Sequence, residues 1–255
     1  MRRRIEALVL TGFLVASIAV LATTWASKDM KCPLCGKTTK MEVIASYGSY
    51  IYKWPSRHQL IFWPVTTGYS LYFCKHCHLA MFMGDFQDLA KLPEEKRDAV
   101  AKAIAPLKKE QPDKRYYEIP MPYRMKIAEA AYRQMDKDDA FWCRFYRIQG
   151  YHLAAAGDQK GAKAARLKAL KLAEKMIKEK VAEPPQKELV FIKGSMQYFT
   201  GQKKLAVATL KQVKETPIKP SKTVTAERAK NATEYLDGLA RDTLKLIEKG
   251  KVPGE

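Results

Sequence analysis

The sequence predicts an α+β protein, with a small β-rich region followed by an all-α domain of helical repeats. Two observations carry this fold class. Between residues 36 and 73, short runs of β-branched and aromatic residues are punctuated by proline and glycine, which is typical of short strands. After Phe86, apolar residues recur at helical spacing, and small residues recur at a fixed interval, which is typical of helical repeats.

The composition limits the protein class. The chain has 255 residues, of which 47% are hydrophobic and 29% charged, as in globular proteins. It carries 46 basic and 27 acidic residues, a formal net charge of +19. These values exclude an acidic scaffold and a collagen-like or low-complexity chain. A polytopic membrane protein is also excluded, because only one apolar stretch is long enough to span a bilayer.

That apolar stretch opens the chain. Three arginines, at positions 2–4, precede an apolar run from Ile5 to Ala26, as in a secretory signal with a cleavage site at Thr24–Ala26. The run is also about the 20 residues that an uncut membrane-spanning helix needs; a buried core helix is the third reading. We therefore expect residues 1–26 to be a signal peptide or an N-terminal membrane anchor. The body would be exported, to the periplasm or cell envelope or on the outer side of the inner membrane.

Four of the five cysteines form two Cys-x-x-Cys pairs. Such pairs supply the four thiolates of a tetrahedral structural zinc site, so residues 27–92 are predicted to be a zinc ribbon binding one Zn²⁺. Gly36 follows the first pair and suits a turn with positive φ, whereas His78 follows the second and suits it less. The predicted ligands are Cys32, Cys35, Cys74 and Cys77. The predicted strands are Met41–Ser46, Tyr50–Trp54, Leu60–Trp63 and Tyr69–Phe73.

The same cysteines allow two other interpretations. In an oxidising compartment, paired cysteines can become disulfides. A thiol–disulfide enzyme is the alternative function, because Lys75 and His76 between Cys74 and Cys77 would lower a thiol pKa. The aromatic residues between the two pairs could form a base-stacking platform, although covering a small sheet explains them equally in an exported protein.

The rest of the chain is predicted to be helical. Pro93 starts a helix over Glu94–Ala105, and a proline-rich linker completes residues 93–122. Residues 123–250 are predicted to form a tetratricopeptide (TPR)-like domain, because small residues recur 44 positions apart where antiparallel helices approach closely. An ordinary helical bundle with a chance match is the alternative. The matching residues are Gly150, Gly157 and Ala162 in the first copy, and Gly194, Gly201 and Ala206 in the second. A long helix over Thr225–Lys249 ends the domain.

The remaining residues give no indication of a catalytic or metal-binding role. Cys143 and His152 are interpreted as helix packing. The sequence has no phosphate loop, His-Glu-x-x-His or Gly-x-Ser-x-Gly motif, so we expect a non-enzymatic protein without catalytic or cofactor-binding residues. Because TPR stacks bind peptides in a concave groove, a protein or peptide partner of the helical domain is the expected ligand.

Three segments resemble one bacterial family, the domain of unknown function 2225 (DUF2225). Residues 32–36 are similar to its first zinc knuckle, residues 69–86 to its second knuckle and the aromatic segment behind it, and residues 123–158 to its first helical repeat, with Ala128, Trp142, Arg147 and Gly157. The resemblance covers roughly residues 30–215 and implies a zinc ribbon followed by TPR-like helices, without an activity. The chain departs from the family in its export segment and in His78, where the family usually has glycine.

Together these observations predict an exported or membrane-anchored scaffolding protein with one structural zinc. Its N-terminal segment would contact the membrane if uncleaved. A third hypothesis is a basic module that binds acidic polymers, because a basic exported body can contact anionic envelope components. Nucleic acid is not the expected partner of such a protein.

Overall fold

The computed structural model describes residues 24–46, 70–109, 114–220 and 224–250. The predicted strands Tyr50–Trp54 and Leu60–Trp63 and nearly all of the predicted leader lie outside these ranges. Within them, no helix is both long and apolar enough to cross a membrane. The α+β prediction is confirmed, since small antiparallel strand pairs precede a mostly helical remainder.

Two short hairpins form the β region. Strand β1 (Thr24–Lys31) pairs antiparallel with β2 (Thr38–Ser46), and β3 (Leu71–Phe73) pairs antiparallel with β4 (Ala80–Phe82). On β2 the exposed residues alternate with the buried Thr39 and Met41, as in a strand with one face on the core. Each hairpin turn carries one Cys-x-x-Cys pair.

The helices follow in chain order, joined by short 3-10 turns at Gln87–Lys91, Ala105–Leu107 and Tyr116–Glu118. They are α1 (Met83–Phe86), α2 (Glu94–Ile104), α3 (Met121–Tyr132), α4 (Asp139–Ala155), α5 (Gln159–Glu179), α6 (Gln186–Phe199), α7 (Lys203–Glu215) and α8 (Ala226–Glu248). The helices predicted over Glu94–Ala105 and Thr225–Lys249 are therefore present, with ends shifted by one residue. The second of these helices begins after an N-cap, since the Thr225 side chain accepts the Arg228 N–H.

The repeated small residues mark two equivalent helical hairpins. Helix α4 packs on α5, α6 packs on α7, and α5 joins the two pairs by packing on α6. Gly157 and Gly201 end the first helix of each pair with φ of +84° and +92°, a conformation that glycine adopts without a steric cost. Helix α8 then packs on α7 and α6, which covers the last hairpin.

Gly194 lies where α6 crosses α7. A Cβ atom at this position would lie 2.7 Å from the Leu210 Cγ and 3.3 Å from the Leu210 backbone N, so the two helices would have to separate. We expect Gly194→Ala to lower the free energy of unfolding by about 1–3 kcal/mol.

The matched control for this prediction is Gly238→Ala in α8. Its Cβ would meet only the Arg241 side chain, at 3.8 Å, so the better helix propensity of alanine should add about 0.5–1 kcal/mol. Urea unfolding of the two variants measures both effects. Equal shifts in the same direction would contradict the close crossing of α6 and α7.

The hairpins and the helices share one hydrophobic core. Helix α3 packs on β3 and β4, and the buried apolar residues of both regions belong to a single cluster. The Tyr132 hydroxyl on α3 donates to the Asp85 carboxylate at 2.7 Å and accepts the Phe82 N–H at 3.0 Å. The fold of the β region therefore depends on α3. The predicted division at residues 92 and 122 stays a prediction.

Arg124 makes the second connection between the two regions. Its side chain is 1% exposed. Its guanidinium donates to the carbonyl oxygens of Leu71 at 2.7 Å, Ile119 at 3.0 Å and Tyr117 at 3.2 Å. One arginine thus holds β3, the Tyr116–Glu118 turn and α3 together.

Candidate metal centre

The two Cys-x-x-Cys turns have the same backbone hydrogen bonds. In the first turn, the Cys32 N–H donates to the Lys37 carbonyl and the Gly36 N–H to the Cys32 carbonyl, both at 2.9 Å. In the second, the Cys74 N–H donates to Leu79 at 2.9 Å, and the His78 N–H donates to Cys74 at 2.8 Å. Two equivalent turns therefore present their cysteines to each other from adjacent hairpins.

Both turns need a residue with positive φ after the second cysteine. Gly36 has a φ of +72° and His78 a φ of +66°. For histidine this conformation costs about 1–2 kcal/mol. The His78 side chain offsets part of that cost, because its Nδ1 lies 2.6 Å from the Tyr123 hydroxyl and its ring contacts Phe73 at 5.2 Å between centroids.

The four sulfurs form one compact cluster. The Cys32 and Cys77 sulfurs are 3.6 Å apart, the Cys35 and Cys74 sulfurs are 3.7 Å apart, and all four lie within 4.8 Å of one another. Four thiolates at about 2.3 Å from a tetrahedral zinc would be about 3.8 Å apart. The spacing of the cluster therefore fits a metal ion at its centre.

No disulfide joins the four cysteines in the structure. A disulfide would bring two sulfurs to about 2.05 Å, and all four cysteines are free thiols in the structure. Two sulfur contacts run between the turns, Cys32 with Cys77 and Cys35 with Cys74. The four sulfurs thus form one set suited to hold a metal ion.

In the absence of a cation, the thiols hydrogen-bond to one another, and these bonds shift their pKa values. Hydrogen bonds from the Cys32 and Cys77 thiols lower the pKa of Cys74, and donating to Cys74 raises the pKa of Cys32 to about 12. The pKa of Cys77 is raised as well, by its hydrogen bonds with Cys32 and Cys74. The Cys74 thiolate is favoured and Cys32 and Cys77 stay protonated, because their hydrogen bonds stabilise the charged form of Cys74. A divalent cation would displace these protons and stabilise the thiolates.

Neighbouring groups hold the sulfurs in place. The Thr39 hydroxyl donates to the Cys74 sulfur at 3.7 Å, and backbone N–H groups of His76 and Cys77 also bond to it. Such outer contacts orient metal ligands and tune their affinity. Sequence reasoning missed Thr39, since its position opposite Cys74 depends on how the two hairpins pack.

The remaining residues considered from sequence lie away from the cluster. Cys143 is 2% exposed within α4, where its thiol contacts the Ala169 carbonyl at 3.5 Å, and burial raises its pKa. His152 is also buried in α4, with its ring against Tyr151. Both residues pack within the helices, as predicted.

Two substitutions of His78 separate its backbone strain from its side-chain contacts. His78→Ala removes the Tyr123 contact and keeps a Cβ at positive φ, whereas His78→Gly removes both the contact and the strain. We expect the glycine variant to be more stable than the alanine variant by about 1 kcal/mol. Thermal unfolding of the two metal-loaded variants measures the difference, and a more stable alanine variant would contradict the positive φ.

Comparison with known proteins identifies the family of the chain. No curated protein and no solved structure matches the chain. The model of a family described as "Uncharacterized protein conserved in bacteria (DUF2225)" matches residues 25–236. The match includes both Cys-x-x-Cys turns and the helices from α1 to α7. The chain therefore belongs to the DUF2225 family of uncharacterised bacterial proteins.

Proposed function

We propose that the protein is a non-enzymatic scaffolding module, exported or anchored in the cell envelope. The four cysteines bind one structural Zn²⁺, and the helical hairpins bind a partner protein or peptide. The observation that carries this proposal is the four-sulfur cluster within the core that joins the β region to the helices.

The ligand set supports a structural role for the metal. Four protein sulfurs complete a tetrahedral site, whereas a catalytic zinc keeps a position open for water or substrate. Cys32, Cys74 and Cys77 are buried, and Cys35 is partly exposed. A metal held in this way has no position for a reacting ligand and stabilises the two turns instead.

The helical hairpins offer a surface suited to a protein partner. The Trp142 and Tyr146 rings on α4 stack with centroids 5.6 Å apart. The Arg133 guanidinium lies 5.0 Å above Trp142, and the Lys168 ammonium 4.6 Å above Tyr146. We call these four side chains the aromatic surface, although Tyr146 itself is buried beneath Lys168 and Trp142 is partly exposed. Tryptophan, tyrosine and arginine dominate binding energy at protein interfaces.

Glu129 fixes the geometry of the aromatic surface. Its carboxylate accepts hydrogen bonds from Gln149 at 3.0 Å, Arg133 at 3.1 Å and Tyr146 at 3.1 Å. Although burial raises the pKa of Glu129, the bond from Gln149 and the Lys168 charge leave it lowered overall. A charged Glu129 therefore fixes the positions of three helices relative to one another. A surface that is already ordered loses less conformational entropy when it binds a partner.

The partner is tested by affinity capture with the full chain from cell envelopes, followed by quantitative mass spectrometry. The variant Trp142→Ala/Lys168→Glu alters the aromatic surface, and Lys171→Glu/Lys178→Glu changes exposed lysines elsewhere on α5. We expect one protein to be recovered with the wild type and the second variant and lost with the first. Identical recoveries for all three proteins would contradict binding at the aromatic surface.

The proposed location has its own test. Thr24–Ala26 form the first part of β1, where Thr24 pairs with Ser46, so cleavage after Ala26 would remove the end of that strand. N-terminal sequencing of protein recovered from a periplasmic fraction and from a membrane fraction distinguishes a cut signal from an anchor. Recovery of the intact chain in the cytosol alone would contradict export.

A further inference from the structure

A basic cleft lies beside the metal centre. It has a volume of about 730 Å³ and opens between β2, the second Cys-x-x-Cys turn and the segment from Lys114 to Tyr117. It lies on the β region and is separate from the aromatic surface on the helices.

One wall of the cleft is the outer edge of β2. The Glu42 N–H donates to the Tyr116 hydroxyl at 3.3 Å, and the Thr38 carbonyl oxygen lies 3.2 Å from the His76 Nε2. Both backbone groups therefore point away from β1. Because outward and inward groups alternate along an antiparallel strand, the N–H and C=O of Lys40 between them also point outward.

Within the part of the chain that the structure describes, Lys40 is thus an open backbone position on a sheet edge. Its side chain is exposed and lines the cleft. Unpaired N–H and C=O groups on a strand edge are a template for another extended chain. Because His76 and Tyr116 occupy the neighbouring positions, the added chain would be short and centred opposite Lys40.

The charges around this edge are mostly positive. Lys40, Lys75, Lys114 and Arg115 line the cleft, with Glu42 as the one lining carboxylate among the described residues. Arg115 pairs with Glu118 outside the lining, and Glu42 accepts a hydrogen bond from Ser27. The cleft therefore favours an acidic ligand.

We propose that this cleft binds a short acidic peptide segment in an extended conformation, paired with β2 through the backbone of Lys40. Backbone pairing supplies the alignment, and the lysines select acidic side chains at alternate positions. A peptide fits both features because it offers matching N–H and C=O groups, whereas a nucleic acid or a lipid headgroup would use only the charge.

The probe for binding is a fluorescein-labelled octapeptide of alternating glutamate and valine, titrated with the zinc-loaded full chain and followed by anisotropy. Two further peptides separate the contribution of charge from that of backbone pairing. One carries lysine in place of glutamate, and the other has N-methyl groups that block its hydrogen-bonding edge. We expect measurable binding of the acidic peptide and at least about tenfold weaker binding of the other two.

Protein variants locate the site. Lys75→Glu/Lys114→Glu should weaken binding of the acidic peptide about tenfold or more, and Lys171→Glu/Lys178→Glu should leave it unchanged. Lys40→Pro removes the outward N–H and spares the ladder with β1, so it should bind less well than Lys40→Ala, which loses the charge alone. Zinc content is measured for every variant, which separates loss of the cleft from loss of the metal centre.

Three results would overturn the proposal. The first is equal binding of the acidic and N-methylated peptides. The second is that the cleft and control charge variants weaken binding equally. The third is tighter binding of a ten-residue oligothymidylate, or of phosphatidylglycerol vesicles, than of the acidic peptide. Should Lys40→Pro not fold, the N-methylated peptide still tests the backbone pairing. None of these outcomes bears on the aromatic surface, whose partner is tested separately.

Discussion

Replacing Cys74 by serine is expected to abolish metal binding and to unfold both hairpins. Cys74 contacts Cys35 and Thr39, and hydrogen bonds from the Cys32 and Cys77 thiols lower the pKa of its own thiol. Binding of structural zinc supplies about 10–16 kcal/mol at pH 7, which matches or exceeds the whole stability of a typical domain. Without the metal, the two turns lose the centre that joins them, and the second hairpin is held by its packing on α3 and by the Arg124 and Tyr132 hydrogen bonds.

Hydrogen exchange and metal analysis together measure this effect. We expect Cys74→Ser to contain no zinc and to lose protection over residues 24–46 and 70–82, while α4 to α7 keep theirs. The control is Cys143→Ser, which changes a buried thiol remote from the cluster and should retain one zinc per chain. A Cys74→Ser protein with full zinc content and unchanged protection would contradict the four-sulfur site.

Arg124→Met should give the second largest effect, a loss of about 3–5 kcal/mol in the free energy of unfolding. Methionine fills much of the same space but cannot donate a hydrogen bond. The carbonyl oxygens of Leu71, Tyr117 and Ile119 would then lose the donor that satisfies them in the core. Each buried acceptor without a partner costs about 1–3 kcal/mol.

Two controls support the interpretation of Arg124. Lys126→Met makes a similar change on the exposed side of α3 and should alter stability by no more than about 0.5 kcal/mol. Arg124→Lys should lie between wild type and Arg124→Met, because one ammonium group cannot reach three divergent carbonyls. Guanidinium chloride unfolding at fixed zinc concentration measures all three. A loss below 1 kcal/mol for Arg124→Met would contradict a major role of its hydrogen bonds in joining the two regions.

The candidate metal centre was readable from sequence because its chemistry is local. Each Cys-x-x-Cys pair forms within one turn, and the structure brings Cys32, Cys35, Cys74 and Cys77 together as predicted. The repeat was readable for a similar reason, since Gly157 and Gly201 end helices through their own positive φ. Both signals depend on residues close together in the chain.

The missed features depend on contacts between distant segments. Strand β1 was not predicted, because Thr24–Ala26 end an apolar run that favours a leader and the rest of the strand is polar. The roles of Arg124 and Tyr132 were also missed. In sequence they are ordinary helix residues, and only the packing of α3 on β3 and β4 gives them partners. The basic cleft likewise exists only once β2 lies beside the second turn.

The most direct test of the central claim is the zinc content of the full chain, purified without chelator and measured by mass spectrometry, together with a count of free thiols under denaturing conditions. We predict one zinc per chain and free thiols at all five cysteines. Absence of zinc with only the Cys143 thiol free would contradict the account, because Cys32, Cys35, Cys74 and Cys77 would then be joined as two disulfides.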